Sequence, residues 1–432
     1  MRKYHQLILV IVTVSSLSTL LMYRHEYLKL RYVLEVLNFF GNQQGTVNNC
    51  LVLNDTFVRD TKSRYIFGNP TPSWLKLGPH FVYSAFWEEQ NEKNYVRALA
   101  IGPPSAFTNF ECHIWFDQGD VLFSEMGKFG YSVRNIHRDN DYKDSKTKIY
   151  ELYCEPIETT PAGSPHGVIF IHKKPKMKIK TFVPIYNTLS RIESANYSAV
   201  CVKADVTGLS KTSILEFISY HQIVGVTDFL VYDNGLHHSI LSELEMLIGL
   251  EGFIRSITTL NWNFPFEDLD LQLVLMEMDC LARTSRKVEL VSILDWEEYI
   301  LPKYSNKPTV LKMLGEVLKD DRKTTSFDVS TVLCCTDMKN DKSADKSWPV
   351  VLRKTQCMPL DVKKSIIYNP NVDQDVRKQD MPSNFGKIFI YKACSGQKTI
   401  TKYEPTMAQF LGGLMTSKLL RLRKSGTFIL NS

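Results

Sequence analysis

"AVCVKADVTGLSKTSILEFISYHQIVGVTDFLVYDNG", from Ala199 to Gly235, is the stretch on which the fold turns. It begins with a short apolar run, AVCVKA, and ends with another, DFLVYDNG. Between them Ile214, Leu215, Phe217, Ile218, His221 and Val224 recur at helical spacing, which makes one broad apolar face, and Gly225 suits the helix end. The reading is therefore strand, helix, strand. The alternation continues with a second amphipathic helix in SILSELEMLIGLEG, a strand in FIRSI, a long helix in FEDLDLQLVLMEMDCLARTS and a strand in VELVSIL. Repeats at this spacing predict an α/β region, a mostly parallel sheet flanked by helices. Ligands on such sheets bind beyond the carboxyl ends of the strands.

Upstream, the runs HFVYSAFW, NYVRALAIG, FECHIWFD, KIYELYCE and HGVIFIHK are short, aromatic and β-branched, and turn-formers separate them. They predict a smaller β-rich domain over residues 66–190. The basic run HKKPKMKIK that follows reads as a solvated edge. Downstream, DDRKTTSFDVSTVLCCTDMKNDKSADKSWP reads as a polar insertion or loop, KIFIYKAC as a strand and TMAQFLGGLMTSKLLRLRK as a short terminal helix.

At the amino end, LILVIVTVSSLSTLLMY, residues 7–23, carries no charge and would span about 25 Å as a helix. No small-residue cleavage site follows it, so it is expected as a signal-anchor transmembrane helix. Residues 1–6 would then be a cytoplasmic tail and 24–65 a stem. Sequons at Asn54 and Asn196 and nine cysteines suit a lumenal, oxidising setting. No Cys/His spacing suggests zinc, and the adjacent Cys334 and Cys335 are expected to have different partners. A net charge of +6 with both signs interspersed gives no support to nucleic acid as a partner.

The chemistry-bearing candidates sit at strand ends. VELVSILDWEEYILP, Val288 to Pro302, leaves a buried run and meets Asp295, Glu297 and Glu298. Residues two apart in an extended segment face the same way, so Asp295 and Glu297 could share one hard cation while Trp296 turns inward. A solvated acidic turn is the alternative. Asp233-Asn234-Gly235 ends the other strand, and there a nucleotide-holding pair competes with an ordinary Asn-Gly turn. His237-His238 reads as a solvated loop, and Met276 and Met278 as core fillers.

Taken in order, EFISYHQIVGVTDFLVYD, the Gln272…Asp279-Cys280 helix and the acidic tip followed by YILP resemble glycosyltransferase family 92. The resemblance covers about 200–305, and more loosely the span from FVYSAFW to the C-terminus. It implies a Golgi membrane protein of single-pass type II topology with a lumenal, GT-A-like catalytic domain over 198–432. It further implies transfer of galactose from UDP-galactose to a glycan on a glycoprotein or glycolipid, with inversion and with Mn²⁺ or Mg²⁺. By that resemblance Asp295 and Glu297 take the metal, Asp233, Asn234 and Asp295 the nucleotide sugar, and Glu298 is a candidate catalytic base. Two features depart from the family pattern. Glu297 stands where an Asp is usual, and all ten histidines lie at or before His238. Asp373, Asp375 or Asn384 would have to replace a later histidine ligand. A catalytically weakened relative that binds glycans or a partner is therefore the competing expectation.

Overall fold

A computed structural model describes residues 73–90, 93–104, 107–118, 121–134, 147–157, 164–174, 177–187, 197–204, 209–236, 254–303, 309–317, 324–371, 378–394 and 401–417. All of them fall in one compact unit, Lys62–Ser432.

Eight strands make the first sheet: β1 (Leu75–Leu77), β2 (His80–Gln90), β3 (Lys93–Gly102), β4 (Phe110–Gln118), β5 (Val121–Arg134), β6 (Lys148–Pro156), β7 (Ser164–Lys174) and β8 (Met177–Asn187). They run in the order β1-β2-β3-β6-β5-β4-β7-β8, and β8 pairs back in parallel with β2, with Ala85 opposite Ile185. The ring from β2 to β8 is thus a closed barrel of seven strands. Closure removes the open edges that would otherwise invite pairing with other chains. Val82, Ala85 and Trp87 of β2, whose register shifts between Val82 and Ala85, fill the interior with Val96, Ile114, Phe116, Leu152 and Phe170. Cys112–Cys154 cross-links β4 and β6 across β5, and Gly127 lies against it. A methyl group on Gly127 would meet Cys154 Sγ at 2.3 Å and Cys112 Sγ at 3.1 Å. Gly127→Ala should therefore cost about 1–3 kcal/mol by overpacking, read as a lower melting temperature; an unchanged melt would show that the barrel wall yields freely.

The second sheet has ten strands in the order β11-β10-β9-β12-β15-β14-β17-β13, with β16 on β14 and β18 on β15. The strands are β9 (Ser198–Val202), β10 (Asp228–Asp233), β11 (Ser256–Asn261), β12 (Leu290–Leu294), β13 (Glu298–Pro302), β14 (Ser326–Cys335), β15 (Gln356–Tyr368), β16 (Lys378–Asp380), β17 (Gly386–Lys392) and β18 (Lys402–Tyr403). The helices are α1 (Lys211–Ile223), α2 (Leu269–Thr284), α3 (Val310–Val317), α4 (Val350–Arg353) and α5 (Leu411–Thr416), the last preceded by a 3-10 turn at Thr406–Phe410.

The expected α/β, GT-A-like, mostly parallel sheet is corrected on this point. Strands take up about half of the structure and helices about a fifth, and the molecule is mostly β. In this sheet parallel pairing joins β11, β10, β9 and β12 into one block, and recurs only where β14 meets β16 and β17. Beyond β12 the sheet turns antiparallel through β15 and β14. The physical reason is that strand-helix alternation holds only from β9 to β12; later strands follow one another without intervening long helices. Among the described residues no helix is long and apolar enough to cross a membrane. The expected span at 7–23, the tail, the stem, both sequon asparagines, Cys50 and His237-His238 lie outside the described residues.

Each face of the parallel block has its own core. Val200, Val202, Phe229, Val231 and Leu294 face α1, whose Ile214, Leu215, Phe217 and Ile218 are buried as their spacing predicts. Gly225, at φ +95°, takes the left-handed conformation just past the helix end. The opposite residues, Ala199, Cys201, Leu230, Tyr232 and Ile293, face α2, with Met276 and Met278 in that core. The same core takes in Tyr83, Phe86 and Leu99 from the barrel wall and Trp74 from the segment before β1. Trp262 sits at the junction, edge-on to Trp74 at 5.5 Å and to Tyr83 at 4.7 Å. Asp279 and Arg283, both buried, pair at 2.7 Å within α2, and the Tyr232 hydroxyl donates to Asp279 at 2.7 Å. Cys280 bonds Cys201 and so ties α2 to β9. Cys334 and Cys335 do have different partners, Cys357 and Cys394.

Candidate functional site

Val202 and Leu294, the last residues of β9 and β12, lie in register, and Val231 of β10, paired with Val202, stands two residues before that strand's tip at Asp233. Lys203 and Asp295 follow Val202 and Leu294 directly. Asp295 opens a tight turn to β13: the Glu298 amide donates to Asp295 O at 3.0 Å, and the Asp295 amide returns a bond to Glu298 Oε2 at 3.0 Å.

Trp296, 3% exposed, turns inward and meets Phe217 edge-on at 5.2 Å. Asp295 and Glu297 flank it, with side chains 24% and 46% exposed, and both line one cleft of about 590 Å³. Each carboxylate is matched by an ammonium: Lys203 Nζ reaches Asp295 at 3.2 Å and Lys392 Nζ reaches Glu297 at 3.2 Å. Burial would lower the Lys392 pKa, but the hydrogen bond and charge of Glu297 outweigh it and raise the value. Glu216, nearly buried on the cleft wall, accepts from the Val350 amide at 2.9 Å.

Glu298, the candidate base, is placed differently. It is buried, it does not line the cleft, and it sits between Lys364, to which it is hydrogen-bonded, and Lys203 at 3.9 Å. Burial alone would raise its pKa; the two ammonium charges override that and lower it. A sealed carboxylate held ionised by two lysines is poorly placed to take a proton from an acceptor. Its contacts instead fix Lys203 and the backbone of Asp295.

Asp233 uses its Oδ1 to accept from the amides of Gly235 at 3.0 Å and Leu236 at 2.7 Å, and Gly235 is at φ +102°. This is an Asx turn. Asn234 is exposed, and neither residue lines the cleft with Asp295. His221 is a core histidine: its Nδ1 lies 2.9 Å from Phe217 O, and burial drives its pKa down to about 3. Asn384 is exposed in a turn away from the cleft, and Asp373 and Asp375 lie outside the described residues.

The donor chemistry bears directly on a metal. Hard cations such as Mn²⁺ and Mg²⁺ take one or two carboxylates, with water and phosphate oxygens filling the other positions. Asp295 and Glu297 on one open cleft fit that requirement, provided the cation displaces the two lysines. Among the described residues they do not join a third donor: the group of three that does close is Cys335, Asp337 and Cys394, whose cysteines are already bonded to each other.

Reading for acids overlooked the cations. Lys203 follows AVCV directly, so the strand-tip reasoning that found Asp295 would also have found it. Lys364 and Lys392 reach the site from β15 and β17, which join it only through the antiparallel half of the sheet, and no local pattern marks them.

With this geometry in view, the comparison with known proteins is specific. Residues 197–376 match the sequence model of Glycosyltransferase family 92. The matched segment, which holds the three strand tips, Asp295, Glu297, Glu298 and Lys364, thus belongs to glycosyltransferase family 92. No curated protein matches the chain.

Proposed function

We propose that the protein is a metal-dependent glycosyltransferase that moves galactose from UDP-galactose to a glycan acceptor with inversion. The observation that carries the reading is the pair Asp295 and Glu297, which line one cleft at the carboxyl ends of parallel strands inside the family-matched segment. These two residues would hold Mn²⁺ or Mg²⁺, which supplies Lewis-acid neutralisation of the departing diphosphate. Lys203 stands beside Asp295 with a second positive charge for the same purpose. The proton released by the acceptor hydroxyl passes to Glu216, the cleft carboxylate not given to the cation. The acceptor is a glycan on a glycoprotein or glycolipid. Eight cysteines in four disulfides support an oxidising setting, and we place the catalytic body in the Golgi lumen.

One observation favours a second reading, a glycan- or partner-binding relative without turnover: each carboxylate of the pair is already neutralised by a lysine. A panel of nucleotide sugars with the purified full-length chain, with and without Mn²⁺, separates the two. Transfer or hydrolysis of UDP-galactose that needs the metal supports the enzyme. Calorimetry in which the wild type binds neither UDP nor Mn²⁺ replaces it with the binding protein.

A further inference from the structure

Asp295, Glu297 and Glu216 share their cleft with groups that attract negative charge. Thr212 and Ser213 stand in the first turn of α1, which Ser210 caps through a reciprocal bond with Ser213, and the amino end of this 13-residue helix carries partial positive charge. Two further donors come from other parts of the chain. Arg353, the last residue of α4, lines the same cleft; its Nε is buried without a hydrogen-bond partner, and it joins no ion pair among the described residues. Trp296 lines the cleft at 3% exposure, and its indole Nε1–H also lacks a partner.

Buried N–H groups are normally satisfied, because leaving one unpaired forfeits its hydration with nothing in return. Trp74, Trp115 and Trp262, buried away from the cleft, share this feature, but Arg353 and Trp296 belong to residues that line a cleft, on separate segments and beside a helix amino end, where a ligand can supply the acceptor. Its charge follows from the neighbours. Lys392 is matched by Glu297 and Lys203 by Asp295, whereas Arg353 is the cleft cation left unmatched among the described residues. A planar guanidinium suits an oxyanion that can accept from more than one of its N–H groups.

We infer that Arg353, Trp296 and the first turn of α1 form a subsite for an oxyanion, a phosphate, sulfate or carboxylate, on a ligand occupying the cleft. The inference rests on the proposed function only for the identity of the carrier. A transferase offers two sources, the diphosphate of the donor or an acidic group on the acceptor glycan.

The test is calorimetry on the full-length chain with pyrophosphate, UDP and a sialylated oligosaccharide, comparing wild type with Arg353→Gln and Trp296→Phe. Arg353→Gln should weaken at least one of these ligands about tenfold or more and flatten its salt dependence. Trp296→Phe, which keeps an aromatic ring but removes the N–H, should weaken the same ligand several-fold. Loss confined to pyrophosphate and UDP assigns the subsite to the donor, and loss confined to the sialylated sugar assigns it to the acceptor. Should Arg353→Gln fail to fold, Arg353→Lys and Trp296→Phe read the same effect. The inference is overturned if the wild type binds none of the three, or if the variants bind all of them as the wild type does. Arg353-dependent binding without turnover of any nucleotide sugar would uphold the subsite and remove the transferase reading, so the two failures are distinct.

Discussion

Asp295→Asn should lower metal-dependent transfer at least about a hundredfold while the protein stays folded. The carboxamide keeps the size of the side chain and leaves the backbone bond to Glu298 intact. What it loses is a formal charge facing the cleft, and neutral oxygen is a weak ligand for a hard cation next to phosphate. The structural cost is small because the Lys203 pair is partly exposed, and such pairs contribute about 1 kcal/mol or less. The measurements are turnover at saturating UDP-galactose and Mn²⁺, beside a thermal melt. A variant with the wild-type melt and most of its activity would detach Asp295 from the chemistry. One that loses transfer but still binds glycan is the pattern the enzyme reading requires.

Glu298→Gln should be among the most destabilising single changes at the site, by about 3–5 kcal/mol. The carboxylate is sealed from solvent and answers both Lys203 and Lys364, so its neutralisation leaves two partly buried ammonium groups facing an amide. The loss is read by urea denaturation at neutral pH. A second signature lies in acid. Because the folded pKa is depressed below the ordinary glutamate value, the ionised group contributes its full stability above the unfolded pKa of about 4.3. That contribution declines as pH falls through this value towards the folded one. The groups facing Glu298 are Lys203, Lys364 and the Asp295 turn. Wild type and variant should therefore converge in stability as the solution is acidified. Curves that stay parallel would show that Glu298 is not the ionised counter-ion described here.

How much of this was legible in the sequence depends on how local each signal is. The alternation that yields β9, α1, β10, α2 and β12 is carried by contiguous apolar runs, and those elements fall where the runs do, whereas β11, Ser256–Asn261, lies later than FIRSI and shares only Ser256 and Ile257 with it. Asp295 and Glu297 were visible for the same reason, being the first acids after a buried strand. The antiparallel half was not. β14 alternates buried and half-buried positions, so Ser326, Asp328 and Ser330 make it read as a polar loop. β15 carries Pro359, Asp361, Lys363 and Lys364, and its pairing with β14 slips twice. In the barrel, β5 was hidden by Gly127, Gly130 and its charges, and β8 by the basic run that extends into its first four residues. Closure itself depends on β2 meeting β8, a pairing between distant parts of the chain that no window of sequence displays. The lysines of the site share that obscurity: each is ordinary where it stands and significant only for what it faces.

The aromatic junction around Trp262 governs how the molecule can be divided. A fragment beginning at residue 198 would uncover Trp262, Tyr232 and the outward side of α2, along with the Asp279–Arg283 pair that Phe86 and Tyr186 now shield. Such a piece would present a greasy, charged scar to water and precipitate or recruit chaperones. The smallest recombinant version worth making for assays is therefore one that retains the barrel, even though none of its side chains lines the cleft.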